Sequence, residues 1–264
     1  MSDREAQLRE LAKKVVVYRL SRMSAVKVRR DLIYKGAAES ALAMDFYRPL
    51  KTHRGRRSPV AVIVMGYPDP TGFHRRMGWA TSWARLLAVS GIAAAIYATR
   101  EPAADVQDVL RYLRENVKTL GIDANRIGIL AGSASVAVAL SALMGTTSVK
   151  CAALLYGYTL DLDGATAVAE MSKTFGFVNA CLGKSVDDLA GDVPLFLVRA
   201  GREQFGGLND ALDRFSARAV ARNLPVTLVN HATGPHAFDL DDDTDASRVI
   251  VQQVLTFLRL HLRA

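Results

Sequence analysis

Short apolar runs alternate with longer amphipathic stretches over most of this chain. The runs are continuous and rich in Val, Ile, Leu and Ala, as is typical of strands buried on both faces; they span residues 60–65, 92–97, 127–131, 151–155, 195–199 and 226–230. The amphipathic stretches lie at about 78–89, 104–119, 134–144, 208–223 and 246–262. Strands that alternate with helices predict an α/β fold, in which helices cover both faces of a mostly parallel sheet.

Two β-rich stretches precede this region, and one long interval interrupts it. Residues 26–34 and 42–47 flank a glycine-containing turn, which predicts an antiparallel hairpin at a sheet edge. The interval from about 158 to 192 is too long for a simple crossover and has apolar pieces of its own. We expect it to form a small cap, inserted into one domain that spans residues 25–264.

Residues 1–24 are expected to form a separate N-terminal helix. Ser2 and Glu5 have the spacing of a capping box, and the apolar positions that follow share one helical face up to about residue 23: Leu8, Leu11, Val15 and Tyr18. Such a stripe can pack on its own domain or hold a homodimer together. The pattern does not choose between these two interpretations.

Composition excludes several classes of protein. The chain has 264 residues, of which 50% are hydrophobic and 23% charged, and these values exclude a disordered, collagenous or coiled-coil chain. The longest apolar run is far shorter than the ~20 residues of a membrane helix, and the acidic N-terminal residues lack a signal-peptide profile, so we expect a cytoplasmic protein without a membrane partner. Two cysteines, Cys151 and Cys181, are too few for a disulfide framework or a four-ligand zinc site. No dinucleotide fingerprint is present either, and no cofactor is expected.

The net charge of +8 is confined to one part of the chain. The first 60 residues hold 15 Lys or Arg against 6 Asp or Glu, whereas the remainder holds 19 against 20. The densest basic run, residues 51–57, has the composition of a solvated loop, which we favour over an anion-binding patch. Nucleic-acid binding by the basic N-terminal part is therefore an alternative that the charge pattern does not favour.

The segment around Ser133 has the layout of a nucleophile elbow. A buried strand at 126–131 leads through the small residues Gly132, Ser133 and Ala134 directly into a helix, which exposes the serine hydroxyl at the helix N-terminus. The usual pattern is G-x-S-x-G, and Ala131 and Ser135 stand at the two glycine positions. Both side chains are small, so the packing requirement is approximately met. An ordinary helix start is the alternative interpretation.

A serine nucleophile needs a base and an orienting carboxylate. His236 lies in a turn-rich segment after the final strand and is the candidate base, whereas His231 continues that strand and is expected to be structural. Glu203 follows the strand at 195–199 and is the preferred acid. Ser133, Glu203 and His236 then follow the chain order Ser, acid, His. Competing acids are Asp210, Asp161 and Asp163.

From Val60 to the C-terminus the sequence resembles the α/β-hydrolase superfamily, nearest to its dienelactone-hydrolase-like and small bacterial esterase branch. Three pieces carry the resemblance: the strand from Arg126 to Ser133, the strand from Pro194 to Gly201, and the segment Gly234-Pro235-His236-Ala237-Phe238-Asp239. The resemblance implies an eight-stranded, mostly parallel sheet and a Ser-His-acid hydrolase of small-molecule esters or lactones.

Members of that family commonly have His-Gly after the first parallel strand, where this chain has Met65-Gly66-Tyr67-Pro68. The oxyanion donor there is a backbone N–H, so the N–H groups of Tyr67 and Ala134 are the candidate pair. Gly66, His74 and Phe205 are the candidate substrate-binding residues. The last two belong to a set of rings that could line the site, which also includes Tyr67, Phe73, Trp79, Phe175 and Phe177. The alternative function is a non-catalytic binding protein that retains this fold.

Overall fold

The computed structural model describes residues 10, 12–50, 57–145, 149–160 and 167–263. Eight strands form a single sheet: β1 (Val28–Lys35), β2 (Leu42–Tyr47), β3 (Ser58–Ile63), β4 (Ala93–Tyr97), β5 (Ile122–Gly132), β6 (Val149–Leu155), β7 (Leu195–Arg202) and β8 (Val226–Pro235). Their order across the sheet is β1-β2-β4-β3-β5-β6-β7-β8. The predicted fold class is confirmed.

Strand direction divides the sheet into two parts. The hairpin of β1 and β2 is antiparallel and pairs antiparallel with β4, as predicted for an edge hairpin. All neighbours from β4 to β8 are parallel. The chain leaves β3 toward β4 and then returns to its other side at β5, so the strand order reverses at β3. Ligands of open α/β sheets bind at the carboxyl ends of strands beside such a switch point.

Helices cover both faces of the sheet. Those in the described residues are α1 (Gly78–Val89), α2 (Pro102–Glu115), α3 (Val117–Leu120), α4 (Ser135–Gly145), α5 (Ala167–Phe175), α6 (Leu208–Ala221), α7 (Phe238–Asp241) and α8 (Asp245–His261). Helix α4 is apolar almost all round, and eight of its eleven residues are buried. A helix of this composition belongs in the interior, and it follows the central strand β5 directly.

The expected N-terminal helix does not reach Met23. Residues 12 and 13 are helical, whereas the chain from residue 14 to residue 22 is not, and residues 1–9 and 11 lie outside the described residues. The N–H of Val16 instead donates to the Ser82 Oγ (3.0 Å), and the N–H of Val17 donates to the carbonyl of Asp239 (2.8 Å). Consecutive β-branched residues favour an extended backbone, and these two bonds attach the segment to its own domain.

The interval between β6 and β7 contains α5 and a short 3₁₀ helix, Val186–Asp188. Val168 of α5 and Phe177 pack in a small apolar cluster with Ala134, the residue after the candidate nucleophile. We use "cap segment" below for residues 158–192; its residues 161–166 are not described. Cys151 and Cys181 are buried free thiols. None of the helices that the structure describes has the length and apolarity to cross a bilayer.

A buried ion pair joins the edge hairpin to the loop after β3. The Arg75 guanidinium donates to the Oδ1 of Asp45 in β2 and to the Oδ1 of Asp31 in β1, both at 2.6 Å. The side chains of Arg75 and Asp45 are 7% and 2% exposed, whereas that of Asp31 is 68% exposed. Removal of one member of a buried pair leaves the other charge without compensation.

We therefore expect Arg75→Met to lower the free energy of unfolding by about 3 kcal/mol or more. Denaturant unfolding of the purified variant measures this change. Asp31→Asn is the control, because it removes only the exposed partner of the same guanidinium and should cost less than about 1 kcal/mol. Equal losses in the two variants would contradict the assignment of the stabilisation to the buried pair.

Candidate active site

Ser133 occupies a sharp turn between the central strand and its helix. Strand β5 ends at Gly132, and α4 begins at Ser135. Ser133 has a left-handed backbone with φ of +52°, which is costly for a residue with a side chain and typical of functional turns. Its N–H donates to the Leu155 carbonyl (2.9 Å), and its carbonyl accepts from Val136 N–H (3.1 Å). These two bonds hold the strained turn, which has the strand-turn-helix layout that a nucleophile elbow requires.

Two glycines from neighbouring loops allow the backbone to approach this turn. A Cβ added at Gly66 would lie 2.6 Å from the carbonyl oxygen of Ala134. One added at Gly157 would lie 2.0 Å from the Cγ2 of Val136 and 2.9 Å from the carbonyl oxygen of Ser133. Real Cβ atoms do not come so close to backbone atoms, so both positions exclude a side chain.

The imidazole of His236 reaches Ser133 from the end of β8. Its Nε2 lies 2.8 Å from the Oγ of Ser133, and its Nδ1 lies 2.6 Å from the Oε2 of Glu203. Because the carboxylate can only accept, Nδ1 carries the proton and Nε2 presents its lone pair to the serine hydroxyl. Ala237, the next residue, has a left-handed backbone with φ of +55° and directly precedes α7.

Glu203 is held on both carboxylate oxygens. It follows the last residue of β7, and its side chain is 1% exposed. Its Oε1 accepts the N–H of Phe205 (3.0 Å), while Oε2 faces His236. A buried carboxylate with both oxygens engaged has a fixed orientation, and this orientation determines which imidazole nitrogen carries the proton.

The competing histidine has a structural environment. His231 lies within β8, is 3% exposed, and its Nε2 is 2.8 Å from the Oγ of Ser247 and 3.2 Å from a carboxylate oxygen of Asp242. These contacts fix the start of α8 on the end of β8.

The competing acids do not join the site in the described part of the chain. Asp210 lies in the first turn of α6 and pairs with Arg214 (2.9 Å) on the surface. Asp161 and Asp163 lie outside the described residues. Of the acids considered, Glu203 is the one that the structure brings to His236.

The candidate oxyanion donors lie on adjacent backbone segments. Ala134 immediately precedes α4, and the first N–H groups of a helix have no intrahelical acceptor and carry the positive end of its dipole. Tyr67 follows Gly66, and the backbone of Gly66 lies directly against that of Ala134. The carbonyl of Gly66 accepts the N–H of Val178 (3.0 Å), a bond that attaches the cap segment to this loop.

Aromatic rings cover the site on two sides. The ring of Phe205 meets the imidazole of His236 edge-on, with centroids 4.7 Å apart. On the side of the candidate oxyanion loop, Phe177 contacts Tyr67 (6.3 Å) and stacks on Tyr158 (5.3 Å). Burial, with the nearby Glu203 carboxylate, raises the pKa of Tyr158 to about 12, so its hydroxyl stays protonated. These contacts make the surroundings of Ser133 predominantly apolar.

His74 lies at the outer end of this wall. Its ring stacks on Tyr67 (5.6 Å) and is 30% exposed, and its Nδ1 is 3.3 Å from the Oδ2 of Asp69. Burial acts to raise the pKa of Asp69, but hydrogen bonds from His74 and Thr71 outweigh it and hold the pKa below its usual value. His74 therefore contacts Tyr67, the residue of the candidate oxyanion loop.

Sequence reasoning missed a polar cluster behind the site. Asp239 is fully buried and accepts hydrogen bonds from Tyr156, Trp79 and Trp83. The two tryptophans are one helical turn apart on α1, which places their indole N–H groups on one face. The spacing of the two tryptophans was the available signal. Their acceptor, however, lies about 160 residues away in sequence, so the cluster could be identified only from the folded structure.

The sequence matches no protein-family model and no curated protein. Solved esterase structures are nevertheless similar to this chain over most of its length. An esterase from Pseudomonas putida matches at a TM-score of 0.71 and 19% identity, covering 100% of this chain and 91% of its own. An esterase from Thermogutta terrifontis has a TM-score of 0.68 and 17% identity, covering 90% of this chain and 93% of its own. An esterase from Pyrobaculum calidifontis has a TM-score of 0.67 and 18% identity, covering 99% of this chain and 91% of its own.

This chain has the α/β-hydrolase fold. The resemblance noted from the sequence is confirmed at the level of the fold, since the neighbours are esterases of that fold. At identities of 17–19% the likeness establishes architecture alone. The dienelactone-hydrolase-like branch stays a prediction.

The close approach at Gly66 can be tested directly. Gly66→Ala should lower the free energy of unfolding by about 1–3 kcal/mol, because the added methyl group overpacks against the backbone of the elbow. Gly206→Ala is the matched control, since an added Cβ at Gly206 meets no atom within 4 Å. Denaturant unfolding measures both variants. A Gly66→Ala protein as stable as the Gly206→Ala protein would show that the two backbones are not in contact.

Proposed function

We propose that this protein is a serine hydrolase that cleaves carboxylic esters or lactones through an acyl-enzyme. The observation that carries the proposal is the continuous chain from Ser133 Oγ through His236 to the Glu203 carboxylate, at 2.8 and 2.6 Å. Its side chains follow three parallel strands, β5, β7 and β8, at the carboxyl edge of the sheet, and β5 lies next to β3, where the strand order reverses. The esterase neighbours share this architecture.

In the first half of the reaction, Nε2 of His236 removes the hydroxyl proton of Ser133 as Oγ attacks the carbonyl carbon. Glu203 keeps the imidazole in the required tautomer and stabilises the imidazolium. The N–H groups of Tyr67 and Ala134 hold the developing oxyanion, a contribution of about 3 kcal/mol for one such donor. The imidazolium then protonates the leaving alkoxide, and Ser133 carries the acyl group.

In the second half, water takes the place of the alcohol. His236 removes a proton from this water, the hydroxide attacks the acyl carbonyl, and the same two N–H groups hold the second oxyanion. Collapse returns the proton to the Oγ of Ser133 and releases the acid. For a lactone, the alcohol remains attached to the acyl group after the first half, and one hydroxy acid is the product.

The contacts around Ser133 favour apolar acyl groups of modest size. Phe177 and Tyr67 form one wall, Phe205 forms another, and Val168 of the cap segment closes the cluster that contains Ala134. Apolar walls with a few converging polar groups are typical of small-molecule sites.

Replacement of the nucleophile tests the proposal. Ser133→Ala should lower the turnover of p-nitrophenyl acetate by about 10⁴-fold or more, as should His236→Ala, because members of a triad act as one unit. Ser141→Ala, on the same helix α4, is the control and should keep the parent rate. A fluorophosphonate should label the parent protein on Ser133 and fail to label Ser133→Ala. A parent protein that neither hydrolyses esters nor takes the label would favour a non-catalytic binding protein.

Acyl selectivity tests the assignment of the apolar wall. Phe177→Ala should raise the ratio of kcat/KM for p-nitrophenyl hexanoate to that for the acetate by about tenfold, because loss of the ring leaves room for the longer acyl chain. A change of this size is at the lower end of the ~1–3 kcal/mol that one methylene is worth in an apolar pocket. Leu182→Ala, which alters a side chain 74% exposed on the same cap segment, should leave the ratio unchanged. A ratio unaffected in Phe177→Ala would remove Phe177 from the acyl site.

A further inference from the structure

Behind the imidazole of His236 lies a cluster of one carboxylate and three neutral donors. The Oδ1 of Asp239 accepts from the Tyr156 hydroxyl (2.6 Å), and its Oδ2 accepts from the indole N–H groups of Trp83 (2.7 Å) and Trp79 (3.2 Å). Asp239, Tyr156 and Trp83 are almost completely buried. We refer to these four residues as the Asp239 cluster.

The Asp239 cluster joins three separate parts of the fold. Asp239 lies in α7, three residues after His236; Tyr156 follows the end of β6; and the two tryptophans lie on α1. The backbone carbonyl of Asp239 also accepts the N–H of Val17 from the N-terminal segment. Burial raises the pKa of Asp239, as expected for a carboxyl whose side-chain partners carry no positive charge.

The cluster also approaches His236 and the residue that precedes Ser133. The ring of Tyr156 meets the imidazole of His236 edge-on, with centroids 5.0 Å apart. A Cβ at Gly132, the residue before Ser133, would lie 3.2 Å from the Tyr156 Oη and 3.3 Å from Trp79. Tyr156 itself has φ of +36°, a strained conformation that its surroundings must maintain.

Sheet geometry explains why such an attachment is needed. His236 follows β8, which is an edge strand three positions away from β5, the strand that carries Ser133. Neighbouring strands are about 4.8 Å apart, so the loop after β8 must return across about 14 Å to bring the imidazole to the hydroxyl. Tyr156 follows β6, which lies between the two strands, and anchors the returning loop there through Asp239.

We propose that Asp239 is a positioning residue of the triad, which through its hydrogen bond to Tyr156 sets the place of His236 relative to Ser133. This inference rests on the proposed function. Asp239 touches neither substrate nor the reacting atoms, and its effect is carried by the loop and by the Tyr156 ring. Displacement of a catalytic group by about 1 Å is enough to lower a rate about 10²-fold.

Two variants test the proposal at different severity. In Asp239→Asn the side-chain NH₂ group must face one of the donors that the carboxylate accepts from, so at least one hydrogen bond of the cluster is lost. Tyr156→Phe removes only the hydroxyl and keeps the ring. With p-nitrophenyl acetate, we expect kcat per active site to fall about 10- to 100-fold in the first and about fivefold in the second, with KM within about twofold of the parent. Active sites are counted by fluorophosphonate titration, so that a loss of folded protein is not counted as a loss of rate.

Ser247→Ala is the matched control. Ser247 is fully buried and bonds to His231 and Asp242, so its loss destabilises the same C-terminal region without contact with the Asp239 cluster. We expect a lower melting temperature but a kcat per titrated site equal to that of the parent. Tyr156→Phe with a parent kcat per site would overturn the proposal, even if Asp239→Asn fails to fold.

A second readout does not depend on turnover. The proton between His236 Nδ1 and Glu203 should give a low-field proton NMR signal, which we expect to shift in Tyr156→Phe and to stay in place in Ser247→Ala. An unshifted signal in Tyr156→Phe counts against the positioning role. If the proposed function itself is wrong, the parent protein neither hydrolyses esters nor takes the fluorophosphonate label. That result differs from a failure of the positioning role, which is observed only in the Tyr156→Phe variant of an active parent.

Discussion

The contact between Ser133 Oγ and His236 Nε2 is the interaction on which the site depends. The two residues come from strands that are three positions apart, and Glu203 comes from the strand next to that of His236. Parallel strands deliver their carboxyl ends to one edge, but they do not by themselves bring these side chains within hydrogen-bond distance. Turns with a left-handed residue stand at both places, at Ser133 itself and at Ala237 next to His236.

Those turns are held by interactions other than the contact between Ser133 and His236. Ser133 is fixed by main-chain bonds to its own helix and to the end of β6. His236 is held by the Glu203 carboxylate at Nδ1 and lies against the ring of Tyr156, whose hydroxyl donates to Asp239. Strained backbone persists only where its surroundings determine it fully. The strain at this edge is therefore matched by the dense hydrogen bonding around it.

The sequence alone predicted the sheet well, because strands buried on both faces are continuous apolar runs that need no knowledge of their neighbours. It also selected Ser133, His236 and Glu203, which the structure brings together, because strand ends and chain order can be read from the sequence without knowledge of the fold. It was wrong about residues 14–22, where bonds from Val16 and Val17 to distant partners replace helical ones. Asp239 was missed for the same reason, as its donors lie 83 to 160 residues away in sequence.

The close approach of two neighbouring segments explains why the turn at Ser133 can depart from the G-x-S-x-G pattern. In this chain the residues flanking the Ser133 turn carry small side chains, Ala131 and Ser135, while the glycines stand on the segments that approach it, Gly66 and Gly157. A tight turn needs space on both sides of the contact, and either side can provide it by omitting a Cβ. The pattern around the serine is therefore an incomplete test for an elbow, because the glycines of the opposing loops meet part of the same steric requirement.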